Sequence, residues 1–311
     1  MLKNYKKTLE PYFRAAMEPC KNKRKKAIEK FYLTSFLQTE TGRIWQENKE
    51  LIENQKQESP DFLFKTKDNT NIGLELVDWV NDSKHFIVTK TLLEICRDIC
   101  QTVLEQKGIN LSLIIDIYDP KRWEIKTRKD FLESIYNPGV SRLKANSKKI
   151  KQKFTEEILN KNITEIPIKE TVEVNSQYFT LTFNKSWYNF PEFHVNNLNM
   201  YWREPLQHIQ KLIEDKNGKY KSYIKNCTEC DLLIVSPLYH TGNCLIIPHE
   251  LKGKRFKSSF RNIYFMEFHG FEGAKAIKLE TTNKKQNCFI AFLQKLQYKL
   301  NRFFLFHSHQ S

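Results

Sequence analysis

The stretch ESPDFLFKTKDNTNIGLELV, residues 58–77, holds two short strand-like runs, and each carries an acid. PDFLFK and NIGLELVDWV flank the loop TKDNTN, which is rich in turn formers, and they predict two short strands joined by a turn. Side chains alternate along an extended strand, so Ile72, Leu74 and Leu76 share one face while Gly73, Glu75 and Val77 share the other. On the preceding strand Asp61 and Leu63 face one way, Phe62 and Phe64 the other. Pairing the two strands through their loop brings Asp61 beside Glu75. Two neighbouring carboxylates repel and so apolar a strand solvates them poorly, which makes the arrangement unfavourable without a cation between them. An oxygen-rich site with few protein ligands suits magnesium or manganese. Asp61 alone would also serve as a turn cap or a solvent-facing residue. For Glu75 an ordinary use is the weaker reading, because charge in mid-strand is rarer.

A second charge is out of place downstream. The segment 204–225 predicts a helix whose apolar stripe runs through Ile209, Leu212, Ile213, Tyr220, Tyr223 and Ile224, and the stripe passes over Lys216. Lys219 lies one turn further on. A lone inward lysine is ordinarily one that packs its stem and sends its ammonium to water. With two inward carboxylates in the same chain, the better-supported reading is a lysine placed beside opposite charge.

Around these two features helices and buried strands interleave. KNKRKKAIEKFYLTSFLQTETG predicts a helix ending at Gly42, a second polar helix follows over roughly 43–56, and TKTLLEICRDICQTVLEQKG predicts an amphipathic helix closed by Gly108. INLSLIIDIY is the continuous apolar run of a strand buried on both faces. Residues 128–160 are lysine-rich and helical in pattern, ETVEVNSQYFTLTFN reads as a hairpin, and SWYNFPEFHVNNLNMYW is rich in aromatics. Strands are predicted again in DLLIVSP, RNIYFMEF and KAIKLET, and a helix near 286–304. This pattern predicts an α/β (α+β) class with a mixed central sheet flanked by helices. We divide the chain into a basic N-terminal segment (1–24), one domain (25–280) with an insertion at 120–203, and a C-terminal helix (281–311).

The 51 Lys and Arg against 36 Asp and Glu give a formal charge of +15, concentrated in KNKRKK (21–26), KANSKKIKQK (144–153) and KGKRFK (252–257). Such clustering points to a polyanionic partner, nucleic acid above all, against the plainer reading of a solvated lysine-rich surface. No apolar run approaches the roughly 20 residues of a spanning helix, and the N-terminus MLKNYKKTLEPYF lacks a signal-peptide core, so we expect a soluble cytoplasmic protein without a membrane partner. The seven cysteines are irregularly spaced, which argues against a disulfide framework. Cys227, Cys230, His240, Cys244 and His249 offer zinc-type ligands, but Cys230 opens a strand-like run instead of lying on a turn, so zinc is the lesser reading.

The residues ESPDF followed by IGLELV, with the later IEDKNGKYKSYIKNCTECDLLIV, resemble the PD-(D/E)xK nuclease superfamily, in particular its bacterial branch reading ESPDF, a loop, then IGIEVT. The likeness spans residues 25–80 and 204–270 and leaves 120–203 as an insertion in a restriction-endonuclease-like core. It implies that Asp61 and Glu75 hold Mg2+ or Mn2+, and that Glu29 on the first helix matches the family's helical acid. The family's lysine two positions after the second acid is Val77 here. Superfamily members are known in which that lysine has moved to a neighbouring helix, and Lys216 then takes its role, with Lys219 second. The implied activity is magnesium-dependent cleavage of nucleic acid, DNA ahead of RNA, with stacking of bases on Trp187, Tyr188 or Trp202 a minor contribution. Two alternatives remain open: an inactive nuclease-fold module that binds nucleic acid, which Val77 favours, and a metal-free interaction protein such as a secreted effector, for which no motif speaks.

Overall fold

The computed structural model describes residues 2–52, 60–79, 83–118, 139–174, 177–196, 205–236, 251, 253–269 and 273–283. The acid-bearing hairpin forms as the alternation requires. Strand β2 (Phe62–Thr66) pairs antiparallel with β3 (Asn71–Asp78), Phe62 opposite Leu74 and Phe64 opposite Ile72. The connection turns tightly because Asn69 adopts a left-handed φ of 69° and the Thr66 amide donates to the Thr70 carbonyl at 2.9 Å.

This hairpin is one side of a mixed sheet in the order β1-β2-β3-β8-β10-β11-β9. The remaining strands are β1 (Lys49–Leu51), β8 (Glu229–Val235), β9 (Arg255–Ser258), β10 (Ile263–His269) and β11 (Gly273–Asn283). β3, β8 and β10 run parallel, with Leu74 opposite Asp231 and Leu232 opposite Ile263. One face, carrying Phe64, Leu74 and Leu233, packs against helices α1 (Leu2–Ala16), α2 (Lys21–Gln38) and α3 (Glu40–Gln46). The other, carrying Leu232, Ile234 and Phe265, packs against α6 (Pro205–Asn217) and α7 (Tyr220–Tyr223).

Between β3 and β8 the chain builds a second sheet, ordered β5-β6-β4-β7. Its strands are β4 (Leu111–Tyr118), β5 (Ile168–Val174), β6 (Gln177–Lys185) and β7 (Glu192–Asn196). Helices α4 (Ser83–Lys107) and α5 (Gly139–Asn160) cover one of its faces, where Ile99, Val103 and Phe154 meet Leu113, Ile115, Phe179 and Leu181. This differs from the expected single central sheet. INLSLIIDIY is a buried strand, but it pairs with β6 and β7 and not with β3, so the departure from the main sheet begins at α4, ahead of residue 120. An apolar run records burial and carries no information about which sheet does the burying.

Two further boundaries move. The segment 1–24 supplies α1, whose Leu9, Tyr12, Phe13 and Ala16 are buried, and the start of α2. The expected helix at 43–56 is cut to α3, because Asn48 takes a left-handed φ of 63° and redirects the chain into β1. Part of the expected insertion (120–138, 175–176 and 197–203) and the C-terminal helix near 286–304 lie outside the described residues. Among the described residues no helix is long and apolar enough to cross a membrane.

Candidate active site

The β2–β3 ladder ends at the Phe62–Leu74 pair, while β3 continues to Asp78. Beyond that point, among the described residues, side chains and not a strand meet the edge of β3. The Leu76 amide donates to Asp61 Oδ2 at 2.8 Å, and the Asp61 amide reaches Glu75 Oε2 at 3.3 Å. Lys216, in the last turn of α6, donates from Nζ to Glu75 Oε1 at 2.6 Å and to the Leu76 carbonyl at 3.3 Å. Tyr223 of α7 lies beside Glu75; burial first and the carboxylate second hold its proton on. Gly73 makes this closeness possible. A Cβ there would stand 2.6 Å from Pro60 Cγ and 2.8 Å from Cys227 Sγ, so only glycine lets the residue before Asp61 lie flat on β3.

The charges at this edge do not balance. Glu75 is 6% exposed and has Lys216, but Asp61 stands beside it with one cation for two acids. Burial, and then repulsion from Glu75, push the Asp61 carboxyl up to about 7. Two further acids look into the same space. Glu29 of α2 is raised by burial despite its 3.3 Å bridge to Lys25, and Asp78 is pushed up to about 6 by burial and by Glu29, although part of it reaches solvent. Asp231 gives the contrast. It too is an acid in an apolar strand and is fully buried, but Arg261, Trp45 Nε1 (2.7 Å) and the Asn262 amide (3.0 Å) saturate it. Asp231 is a structural ion-pair centre, and the Asp61–Glu75 pair is short of positive charge.

These groups line one cleft of about 460 Å³, walled by α1 and α2 on one side and by α4 and Phe193 of β7 on the other. Asp61, Glu75, Lys216 and Glu29 all open into it. Lys219 does not: α6 stops at Asn217, Gly218 makes the turn, and Lys219 is exposed ahead of α7. The same break leaves Ile224, expected in the apolar stripe, 40% exposed. Trp187 is solvent-exposed, Tyr188 stacks on Phe190 at 5.1 Å, and Trp202 lies outside the described residues. Cys227 and Cys230 are buried free thiols at the start of β8, and His240, Cys244 and His249 lie outside the described residues.

Sequence reasoning missed Asp78, Tyr223 and the α4 wall. Asp78 carried a signal, a third acid in the run ELVDW. Tyr223 was hidden in an apolar stripe. No spacing could announce α4, because its approach depends on the second sheet. Among the described residues no group of three or more His, Cys, Asp or Glu is arranged to hold a metal ion. The donors such a cation would meet are therefore the two carboxylates of Asp61 and Glu75, all oxygen, with water for the remainder, which suits magnesium or manganese better than zinc. Compared with protein families, characterised proteins and solved structures, the chain has no significant match.

Proposed function

We propose that this protein is a divalent-metal-dependent nuclease that hydrolyses phosphodiester bonds, with DNA the first substrate to test. One observation carries the reading: two acids from one hairpin and a lysine from a helix some 140 residues away meet in one cleft, at a strand edge that no strand completes among the described residues. The resemblance of ESPDF and IGLELV to PD-(D/E)xK nucleases supports Asp61 and Glu75 in the same roles. Asp61 and Glu75 would hold magnesium or manganese, and the surplus negative charge at Asp61 is what such an ion neutralises. When bound, the ion would supply Lewis acidity, lowering the pKa of an attacking water and drawing charge from the phosphate.

Lys216 performs the chain's own part of the chemistry. Its ammonium is fixed on Glu75 by a 2.6 Å bond and steadied by the Leu76 carbonyl, so it stands in place to orient water or to meet charge that develops on the phosphate. Tyr223 keeps Glu75 in position. Glu29 and Asp78 are positioning residues that deepen the negative potential of the floor.

A second reading has its own observation. Lys216 already neutralises Glu75, and Val77 stands where the family has lysine, which also fits a nuclease fold that binds nucleic acid without cutting it. The deciding experiment incubates purified protein with labelled DNA in Mg2+ or Mn2+, alongside Glu75→Gln and Lys216→Ala. Cleavage by wild type that both variants lose supports the nuclease. Binding without cleavage in either metal supports the inactive module.

A further inference from the structure

The cleft has an acidic floor and a basic mouth. Glu75, Leu76 and Tyr32 at its base are buried, whereas Lys21, Lys25 and Lys90 at its rim are exposed. Between these levels stand Arg24 of α2 and Arg97 of α4, half-buried on opposite walls. They sense one another: Arg24 is depressed from its ordinary value by burial first and by the like charge of Arg97 second, with Glu94 and Asp98 opposing. Their protein partners do not remove the excess. Arg24 Nη1 donates to the Glu18 carbonyl at 3.0 Å; Asp98 accepts from both Nε (2.9 Å) and Nη2 of Arg97 but is shared with Lys151 at 3.3 Å, and the other Nη of Arg97 is not taken up by it. A half-buried pair of guanidiniums on facing walls is the counterpart of the carboxylate pair below it. Each is relieved by a ligand of opposite sign, and planar guanidinium forks match the oxygens of a phosphate.

We propose that Arg24 and Arg97 clamp a second phosphate of a single, unpaired strand whose neighbouring phosphate lies on the acidic floor. The assignment of the floor rests on the nuclease reading; the clamp itself does not. Ile28 and Leu93, from the same two helices, line the space between the levels with apolar surface suited to a base. The cleft's volume is that of a small-molecule site, roughly 300–1,000 Å³, which admits a nucleotide or two. A duplex, whose backbone is held on a broad rod, cannot bring it between α2 and α4 to Glu75, and a strand that is already unpaired can.

The test is binding without cleavage. With divalent ions chelated, fluorescence anisotropy compares a short single-stranded DNA, the same strand with a 5′-phosphate, and its blunt duplex at several salt concentrations. The single strand is expected to bind at least about tenfold more tightly than the duplex. Losing one phosphate contact should flatten the slope of log K against log salt by about 0.7 in Arg24→Gln and Arg97→Gln. Arg97→Lys, which keeps the charge, should hold the slope, and Lys161→Gln, an equal loss of charge at an ion pair with Glu170, should leave it unchanged. Tighter binding of the phosphorylated strand identifies a terminal phosphate as the ligand; equal binding identifies an internal phosphodiester. Duplex affinity equal to that of the single strand, or an unchanged slope in folded Arg24→Gln and Arg97→Gln proteins, overturns the proposal. A protein that grips single strands but never cuts keeps the clamp and loses the nuclease reading, and one that cuts duplex with both variants fully active does the reverse.

Discussion

Asp61 is where pH acts on this molecule. Its folded pKa, about 7, lies well above the ordinary carboxylate value, so between roughly pH 4 and 7 the native state keeps a proton that the unfolded chain releases. Native stability therefore falls as pH rises through that window, and the loss is complete above it. In chelator, the stability of wild type relative to Asp61→Asn should fall progressively from pH 5 to 8; His194, buried and held down to about 4, opposes the decline below about pH 6.5 in both proteins alike, and Asp78, with its pKa near 6, adds a smaller part to it. Parallel curves for the two proteins would remove Asp61 as the titrating group. Added Mg2+ or Mn2+ competes with the same proton, so it should raise the melting temperature more at pH 8 than at pH 5.5, and hardly at all in Glu75→Gln. Gly73 permits a separate test. Gly73→Ala forces a Cβ within 2.6 Å of Pro60, and overpacking of this kind costs about 1–3 kcal/mol, readable by urea denaturation, with metal response lost because Asp61 moves with Pro60.

At the level of elements, the fastening of β8 is separable from the chemistry. Asp231 joins α3, through Trp45, to Arg261 ahead of β10. Asp231→Ala removes the buried partner of Arg261 and should cost about 3 kcal/mol in chemical denaturation, at the low end for a broken buried pair because Arg261 keeps its 3.0 Å bridge to the half-exposed Glu229. Asp231 lies across from Leu74, but none of Asp231, Arg261 and Trp45 lines the cleft, so chemistry that depends on Lys216 should survive in whatever fraction folds. The hairpin and its alternation were legible because strand period and turn chemistry are local properties of 58–77. Lys216 was legible because a charge interrupts a 3.6-residue stripe. Asp231 escaped notice: it sits at the start of its strand, where an acid looks ordinary, and its partners are 186 and 30 residues away. The break at Gly218, which removes Lys219 from the cleft, also went unread, since one glycine inside a helical pattern is often tolerated.

For the molecule as a whole, the cleft exists only because two sheets share one core. The wall formed by α4 and Phe193 belongs to the second sheet, the floor to the first, and α1 seals the junction with Phe13 packed on Phe193 at 5.4 Å. Deleting α1 should therefore expose apolar surface and abolish the thermal response to metal together, which dye binding and a melt would register; a truncated protein that still responds would show that α1 is dispensable to the site. None of this junction was readable from sequence, because which helix meets which sheet is decided by contacts between distant segments.

The crossover from β3 to β8 carries one more implication, for how the protein comes into being. Glu75 and Leu232 are neighbours in the finished sheet, yet the entire second sheet is synthesised between them. On the ribosome the acid pair emerges early and waits, unaccompanied, until α6 and β8 follow. A half-made chain thus carries the acids without their lysine and has no cleft to hold a strand. For the nuclease we propose, competence would arrive late and all at once, which would spare the surrounding nucleic acid from nascent or prematurely terminated copies.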